Sequence, residues 1–338
     1  SLQEHSEIPP PIKGLQRQRT ADFVPSHLIS IRELPMEFIS SLLQSADEMR
    51  LMVQFRGGGN ESLKNKVLAS VFYEPSTRTS CSFQAAMQRL GGSVICINED
   101  HSSVKKGESL ADTIRTMASY CDVIVLRHPI KGSAQIASMN SSSKPVINAG
   151  DGAGEHPTQA LLDLYTISAE LGYIGNSVGG PKMVVTLLGD LKFGRTVHSL
   201  ALLLSRFPGI QLIYVAPEGL EMPSEIIQEI ANSSSVEQVQ RKSLEEVIGF
   251  TDVLYVTRIQ KERFNNEEDY NKVMGSYCVD IQLMKMAKER MIVMHPLPRL
   301  SEISPEVDAD PRAAYFRQME YGMYMRMAIL SALLLRVP

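Results

Sequence analysis

Residues 67–73 read Val-Leu-Ala-Ser-Val-Phe-Tyr, and residues 74–80 continue as Glu-Pro-Ser-Thr-Arg-Thr-Ser. The first stretch is an apolar run interrupted by one serine, which predicts a strand buried on both faces of a sheet. A helix pattern follows from residue 79 to residue 90. A buried strand that leads into a helix is the repeating unit of a parallel α/β sheet, so this stretch predicts that fold class.

The same alternation of strand and helix patterns runs through the rest of the chain in two blocks. The first block adds strand patterns at 94–97, 123–126 and 146–148, and helix patterns at 34–53 and 110–119. The second block has strand patterns at 183–188, 212–215, 253–256 and 292–294, and helix patterns at 194–205, 224–231 and 283–290. We therefore expect two α/β domains, each a parallel sheet flanked by helices.

The expected domain limits follow from these two blocks and from both ends of the chain. Residues 1–25 are rich in proline and lack a periodic apolar pattern, which predicts a linker or tail. A long helix pattern with two apolar faces at 312–336 predicts a helix that packs back on the first domain. The first domain is thus expected at 26–157 plus about 320–338, and the second at 158–319.

The composition is typical of a globular protein, with 43% hydrophobic residues, 21% charged residues and a formal net charge of -4. This charge does not favour a nucleic acid as partner, and the apolar stretches are too short to span a membrane. The chain does not open on a secretory signal pattern. The four cysteines are scattered, which favours free thiols over a zinc site or disulfides, so the expected compartment is the cytoplasm.

The segment after the first strand has the residue types of an anion site. Ser76, Thr77, Thr79 and Ser80 offer hydroxyl groups, and Arg78 offers a planar guanidinium suited to phosphate oxygens. The expected helix start adds free backbone N–H groups at the carboxyl end of a parallel strand, where ligands bind in such sheets. The alternative is a helix cap with a surface arginine. Four hydroxyl residues around one arginine favour anion binding.

Three further segments of the first domain carry polar residues at comparable places. The Ser, Lys and Gly content of residues 102–108 predicts a loop that could close over an anion, or simply a solvated loop. Arg127 directly follows a predicted strand, although a surface arginine is an equal alternative. His156 and Pro157 open a helix after a glycine-rich turn. A histidine there should stay neutral and can donate to a carbonyl oxygen, or it only caps the helix.

Three predicted strands of the second domain also end in polar loops, at 189–196, 257–263 and 295–299. The first of these loops is not a GxGxxG fingerprint, so it does not indicate a dinucleotide. Arg195 and Arg258 have the right chemistry to bind carboxylates through two parallel hydrogen bonds, or they form structural ion pairs. These loops are expected to face the place where the two domains meet.

Taken together, these motifs resemble the aspartate/ornithine carbamoyltransferase family over nearly the whole chain, from about Leu28 onward. The most specific motifs are Ser76-Thr77-Arg78-Thr79, Arg127-His128-Pro129, His156-Pro157-Thr158-Gln159 and His295-Pro296-Leu297-Pro298-Arg299. Pro296 stands where ornithine enzymes typically carry Cys, and 257–260 also resembles the aspartate branch. Within the family, the chain is most similar to the carbamoyltransferase domain of eukaryotic multifunctional pyrimidine-synthesis proteins.

The resemblance implies roles for individual residues. It makes the first domain the carbamoyl-phosphate-binding domain and the second the aspartate-binding domain. The residues that it implies for carbamoyl phosphate are Ser76, Thr77, Arg78, Thr79, Ser102, Lys106, Arg127, His156, Gln159, Leu297 and Pro298. Those that it implies for aspartate are Lys106, Arg195, Arg258 and Gln260, and those for catalysis are Thr79, Lys106, Arg127 and His156.

The resemblance also implies a reaction and an assembly. The reaction moves the carbamoyl group of carbamoyl phosphate to the amine of L-aspartate, without a cofactor or metal. Carbamoylation of another amine such as ornithine, or a catalytically silent assembly domain, are the alternatives. Ser102 and Lys106 match loop residues that reach the neighbouring subunit in a homotrimer, and flanking domains of a larger polypeptide are expected. Two positions depart from the family pattern: Ser80 replaces a frequent Arg, and Val104 replaces a common Gly.

Overall fold

The computed structural model describes residues 23–98, 107–175, 181–260, 264, 266–273 and 275–335. Its first sheet contains four parallel strands in the order β2-β1-β3-β4. These strands are β1 Val67–Phe72, β2 Ser93–Asn98, β3 Val123–His128 and β4 Val146–Asp151. The predicted parallel sheet is confirmed, and β3 extends two residues beyond its predicted end to include Arg127 and His128.

The helices of this part of the chain are α1 Met36–Phe55, α2 Thr77–Arg89, α3 Leu110–Ala118 and α4 Ser133–Asn140. Helix α2 starts two residues before its predicted first residue, so Thr77 and Arg78 belong to its first turn. The sequence did not predict α4. This helix is short, and its buried face consists of Ser133, Ala134 and Ala137. Such small side chains give little apolar periodicity.

The second sheet contains five parallel strands in the order β7-β6-β5-β8-β9. They are β5 Met183–Leu188, β6 Ile210–Val215, β7 Glu237–Arg241, β8 Val253–Val256 and β9 Ile292–Met294. The sequence missed β7 because it is an edge strand whose residues, apart from Val239, are polar. The accompanying helices are α5 Pro157–Leu171, α6 Arg195–Leu204, α7 Ser224–Ser233, α8 Glu267–Val273 and α9 Ile281–Met286. Helix α8 was not predicted, and α9 ends four residues before its predicted end.

The final helix, α10 Tyr315–Leu334, joins the two halves of the molecule. It packs against α1, α2 and α5, which confirms the predicted return of the C-terminal helix onto the first domain. One apolar cluster extends from α1 and α2 through α5 and α10 to the second sheet. Helix α5 is buried along almost its whole length. Residues on α5 and α10 are therefore held rigidly between the sheets.

Among the residues that the structure describes, no helix combines the length and apolar character that crossing a membrane requires. All four cysteines lie in the described ranges and are free thiols, with only Cys121 buried.

Candidate active site

The segment after β1 builds the first part of the site. Ser76 lies at the N-cap of α2, and Thr77 and Arg78 occupy its exposed first turn, whereas the Thr79 side chain is buried. Desolvation and the charge of Arg258 lower the pKa of Arg78. Arg258 follows β8 in the second sheet. The carboxyl ends of the two sheets face each other, because Arg195 Nη2 at the start of α6 lies 3.7 Å from Glu74 Oε2 just after β1.

Arg127, near the end of β3, lies deeper in the same crevice and is 15% exposed. Its Nε lies 3.2 Å from Glu74 Oε2, and its Nη1 donates to the Ala149 carbonyl at 3.3 Å. Burial and the positive charge of Arg195 lower the pKa of Arg127 to about 10, and Glu74 opposes this shift. The guanidinium is thus fixed in place beside another cation.

Glu74 is a site residue that the sequence did not identify. Its Oε2 atom lies between Arg127 Nε at 3.2 Å and Arg195 Nη2 at 3.7 Å. Because Arg195 begins α6, this carboxylate links the first sheet to the second. The only available signal was its position directly after the buried run of β1 and Tyr73, two residues before the hydroxyl-rich segment.

The two arginines also explain Gly150, whose φ is +118°. A Cβ atom at this position would lie 3.0 Å from Arg195 Nη2 and 3.3 Å from Arg127 Nη1. Glycine suits this position for two reasons. The backbone is in a left-handed conformation, and a Cβ atom would be in tight contact with both guanidiniums.

His156 occupies the N-cap of α5, and Pro157 is the first helical residue, as the sequence predicted. The side chain is 4% exposed, and its backbone N–H donates to Ser199 Oγ at 3.3 Å. Burial, assisted by the charges of Arg195 and Arg127, lowers the pKa of His156 well below its ordinary value. The imidazole is therefore neutral, and within the described part of the chain its Nδ1 atom has no hydrogen-bond partner.

The second sheet supplies the opposite wall. Arg195 reaches across the crevice and donates from Nη1 to the Gly152 carbonyl. Arg258 and Gln260 follow β8 and are half-buried. Gln260 Nε2 donates to Asp190 Oδ2 at 3.4 Å, so a second acidic residue that the sequence did not single out holds this loop. Arg195, Arg258 and Gln260 thus lie at the same crevice as the first group.

The loop after β9 closes the remaining side. Leu297 has a φ of +54°, and the Leu297–Pro298 peptide bond is cis. The Leu297 N–H donates to His295 Nδ1 at 2.8 Å, while His295 Nε2 lies 2.8 Å from Glu302 Oε1. Burial lowers the pKa of His295, Glu302 opposes this shift, and the charges of Arg299 and Arg78 add smaller lowering contributions.

Gln159 lies in the first turn of α5 and is buried, and its Nε2 donates to Asp163 Oδ1 at 2.9 Å. The structure therefore brings together the predicted residues of both sheets around one cationic crevice. Ser102 and Lys106 lie outside the described residues, so their predicted roles rest on the resemblance alone.

Two family models match the chain. The carbamoyl-P binding domain of aspartate/ornithine carbamoyltransferases matches residues 26–169, and the Asp/Orn binding domain of the same enzymes matches residues 182–333. The chain belongs to the aspartate/ornithine carbamoyltransferase family. The resemblance inferred from the sequence motifs is therefore confirmed.

Individual members of the family are similar over most of the chain. The multifunctional protein pyr1-3 of Dictyostelium discoideum is 53% identical over 305 residues, which are 90% of this chain but 13% of that protein. The chain therefore spans a small part of this relative. The aspartate carbamoyltransferase catalytic subunit of Archaeoglobus fulgidus is 50% identical over 313 residues, which are 91% of this chain and 99% of that subunit.

A solved structure shares the fold. Aspartate transcarbamoylase from Trypanosoma cruzi, in complex with N-(phosphonacetyl)-L-aspartic acid, is 44% identical with a TM-score of 0.84. The match covers 95% of this chain and 99% of that one. The two-domain architecture with parallel sheets is therefore that of aspartate transcarbamoylases.

Proposed function

We propose that this chain transfers the carbamoyl group of carbamoyl phosphate to L-aspartate, which yields N-carbamoyl-L-aspartate and phosphate for pyrimidine synthesis. The observation that carries the proposal is that Arg127 and Arg195, from the two halves of the molecule, contact the same Glu74 carboxylate beside a neutral His156. Arg78 and Arg258 add two further positive charges near each other at this crevice. Two anionic substrates need such a cationic site. Bringing them together removes much of the entropic barrier to reaction.

The first turn of α2 is suited to the phosphate group. Ser76, Thr77 and Thr79 offer hydroxyl and backbone donors, and Arg78 adds a charged fork at the positive end of the helix dipole. Negative charge grows on the phosphate as it leaves. Donors that are already oriented stabilise this charge without reorganisation in the transition state.

Arg127, Thr79 and the neutral ring of His156 are suited to the carbamoyl oxygen. The attack of an amine on the carbonyl carbon places negative charge on this oxygen. A neutral imidazole donates a hydrogen bond there without adding another charge to the arginines nearby. The carbonyl groups of Gln159, Leu297 and Pro298 are the proposed acceptors for the carbamoyl N–H groups.

The second sheet is suited to L-aspartate. Arg195 and Arg258 offer guanidinium groups for its two carboxylates, and Gln260 offers an amide. Glu74 holds Arg195 and Arg127 together and thereby orients both for their substrates. We propose that the departing phosphate accepts the proton that the amine loses on attack.

A steady-state assay tests the proposal against its two alternatives. Purified chain is supplied with carbamoyl phosphate and, in turn, L-aspartate, L-ornithine and other amino acids, and the carbamoylated product is identified by mass spectrometry. The proposal requires N-carbamoyl-L-aspartate as the main product. Preferred carbamoylation of ornithine would assign the chain to the other branch, and no turnover with any amine would favour an assembly domain.

We further propose a homotrimer in which Ser102 and Lys106 serve the neighbouring subunit's site, an arrangement implied by the resemblance. A closed ring of head-to-tail contacts allows each loop to reach the next crevice. The test is to mix Lys106→Ala with His156→Ala and let subunits exchange. Activity should return at sites that combine an intact loop with an intact pocket. A mixture that stays inactive after confirmed subunit exchange would remove the shared site.

The remaining proposals concern the context of the chain. The domain limits are proposed at 26–157 plus about 320–338 for carbamoyl phosphate and at 158–319 for aspartate. The multifunctional relative supports the proposal that further domains flank this one in a larger polypeptide. Free thiols fit the proposed cytoplasmic location.

A further inference from the structure

Asp163 is a fully buried carboxylate one helical turn beyond Gln159 on α5. It accepts hydrogen bonds from three side chains. Oδ1 accepts from Gln159 Nε2 at 2.9 Å and from Gln318 Nε2 at 2.7 Å, and Oδ2 accepts from the Tyr255 hydroxyl at 2.7 Å. These partners come from α5, α10 and β8, so Asp163 connects both halves of the molecule.

An ionised carboxylate only accepts hydrogen bonds, and this property fixes the orientation of both glutamine amides. If Gln159 or Gln318 were flipped, its oxygen would face Asp163 Oδ1 with no hydrogen between them. The charged form of Asp163 therefore turns each amide oxygen away from it, and for Gln318 the same orientation is set independently by the His295 N–H, which donates to Oε1. Burial raises the pKa of Asp163 to about 7, and hydrogen bonds from Tyr255, Gln318 and Gln159 oppose this rise by favouring the charged form.

The outward-facing oxygen of Gln318 has a defined partner. Its Oε1 accepts from the backbone N–H of His295 at 2.9 Å. The His295 ring in turn accepts from the Leu297 N–H at 2.8 Å. A continuous chain of hydrogen bonds therefore runs from Asp163 to the loop that carries the Leu297 and Pro298 carbonyls.

The other branch is shorter. Gln159 lies in the same first turn that places His156 in the crevice. With its nitrogen held by Asp163, its planar amide presents the oxygen on the opposite side. One branch thus ends at the Gln159 amide oxygen, and the other ends at the Leu297 N–H, in the loop that carries the Leu297 and Pro298 carbonyls.

We propose that Asp163 is a positioning residue that orients the carbonyl acceptors of Gln159 and of the Leu297–Pro298 loop toward the N–H groups of the bound carbamoyl group. This inference rests on the proposed function. A flipped Gln159 would present an NH2 group to the NH2 of the substrate, and the two would repel. Asp163 thereby contributes to recognition of the carbamoyl amide, and it has no part in binding phosphate or aspartate.

Acetyl phosphate provides the probe for this role, because it carries a methyl group where carbamoyl phosphate carries NH2. The ratio of the two dissociation constants reports on the amide acceptors, and inorganic phosphate reports on the phosphate site alone. All three are measured by calorimetry on the full chain. In Asp163→Asn, the side chain has one acceptor and one donor, so the amides are no longer held in one orientation. Its preference for carbamoyl over acetyl phosphate should fall about tenfold, roughly the value of one net hydrogen bond.

Gln318→Leu is the second variant. It removes the branch to His295 directly, so its effect does not depend on how the new amide is oriented in Asp163→Asn. Its preference should also fall, by a smaller factor, while its affinity for inorganic phosphate stays at the wild-type value. Asp47→Asn is the matched control. Asp47 is also a carboxylate that accepts from a tyrosine of α5, Tyr165, at 2.9 Å, but it contacts neither glutamine. In Asp47→Asn, the ratio of the dissociation constants for carbamoyl and acetyl phosphate should remain that of the wild type.

Two results would overturn the role of Asp163. One is an unchanged preference in both Asp163→Asn and Gln318→Leu. The other is an equal loss of affinity for all three ligands, which would indicate general structural damage. Neither result bears on the proposed function, because turnover of L-aspartate by the wild-type chain tests that separately.

Discussion

Helix α5 carries two polar regions that differ in how their charges are balanced. At its N-terminus, the buried His156 lies near Arg195 and Arg127, and the pKa of Arg127 is lowered by burial and by the charge of Arg195. Seven residues further on, the carboxylate of Asp163 is matched by three donors from the protein itself. We expect an added anion to stabilise the first region, whereas the carboxylate of the second is already hydrogen-bonded within the protein. The difference indicates that the first region binds substrate and the second orients the groups that do.

The largest expected effect is at Arg78, the proposed phosphate-binding residue on α2. Arg78→Ala should leave the fold intact, because Arg78 is an exposed residue of the first turn of α2. It should lower turnover about 100- to 1,000-fold, the usual cost of losing one donor to a developing oxyanion. Steady-state kinetics and circular dichroism check both statements. Near-normal turnover of a folded variant would remove Arg78 from the site.

Arg127 and His156 should show a different kinetic pattern. Arg127→Ala or His156→Ala should lower kcat more than it raises the KM for aspartate, because both groups act on charge that develops in the transition state. Full saturation curves for aspartate provide the measurement. A pure KM effect would move these residues from the reacting carbonyl to substrate binding.

Substitution of a proposed aspartate-binding residue should affect one substrate more than the other. Arg258→Ala should weaken aspartate about tenfold to 100-fold, which corresponds to the loss of a charged hydrogen-bonding partner. The affinity for carbamoyl phosphate should change far less. Binding isotherms for each substrate distinguish this result from an equal loss of both, which would indicate that Arg258 is structural.

A smaller effect should appear in the pH dependence of stability. The folded pKa of His156 lies below its ordinary value of 6.5. The unfolded state therefore takes up the proton first, so the contribution of His156 is present above pH 6.5 and is lost as the pH falls. In His156→Gln this loss is absent. The stability difference between wild type and variant, measured by urea unfolding, should shrink with falling pH, and a constant difference would contradict a neutral buried imidazole.

The comparison of the two regions also shows what a single sequence can predict. Arg78, Arg127, Arg195 and Arg258 were recognisable because each lies at the end of a buried strand or in the segment that follows one, and the carboxyl ends of parallel strands meet at one edge. Glu74 has the same placement. Its role depends on Arg195 crossing from the second sheet, and sequence spacing does not encode that contact.

Asp163 was missed for a related reason. It interrupts the apolar sequence Leu161-Leu162-Asp163-Leu164, and in a helix buried on nearly all sides a charged residue needs partners. The sequence pattern alone did not reveal that α5 is enclosed, because α10 covers it from more than 140 residues away. Similarly, the polar edge strand β7 and the alanine-faced α4 lack the apolar periodicity that identified the other elements.

The contrast between a cationic region that binds an anion and a carboxylate that is hydrogen-bonded within the protein is tested most directly by thermal unfolding with and without inorganic phosphate. A ligand that binds only the folded state adds about 2.7 kcal/mol at a hundred times its Kd. Phosphate should raise the Tm of the wild type and of Asp163→Asn equally, and it should leave the Tm of Arg78→Ala nearly unchanged. An equal rise in Arg78→Ala, or a rise lost in Asp163→Asn, would contradict it.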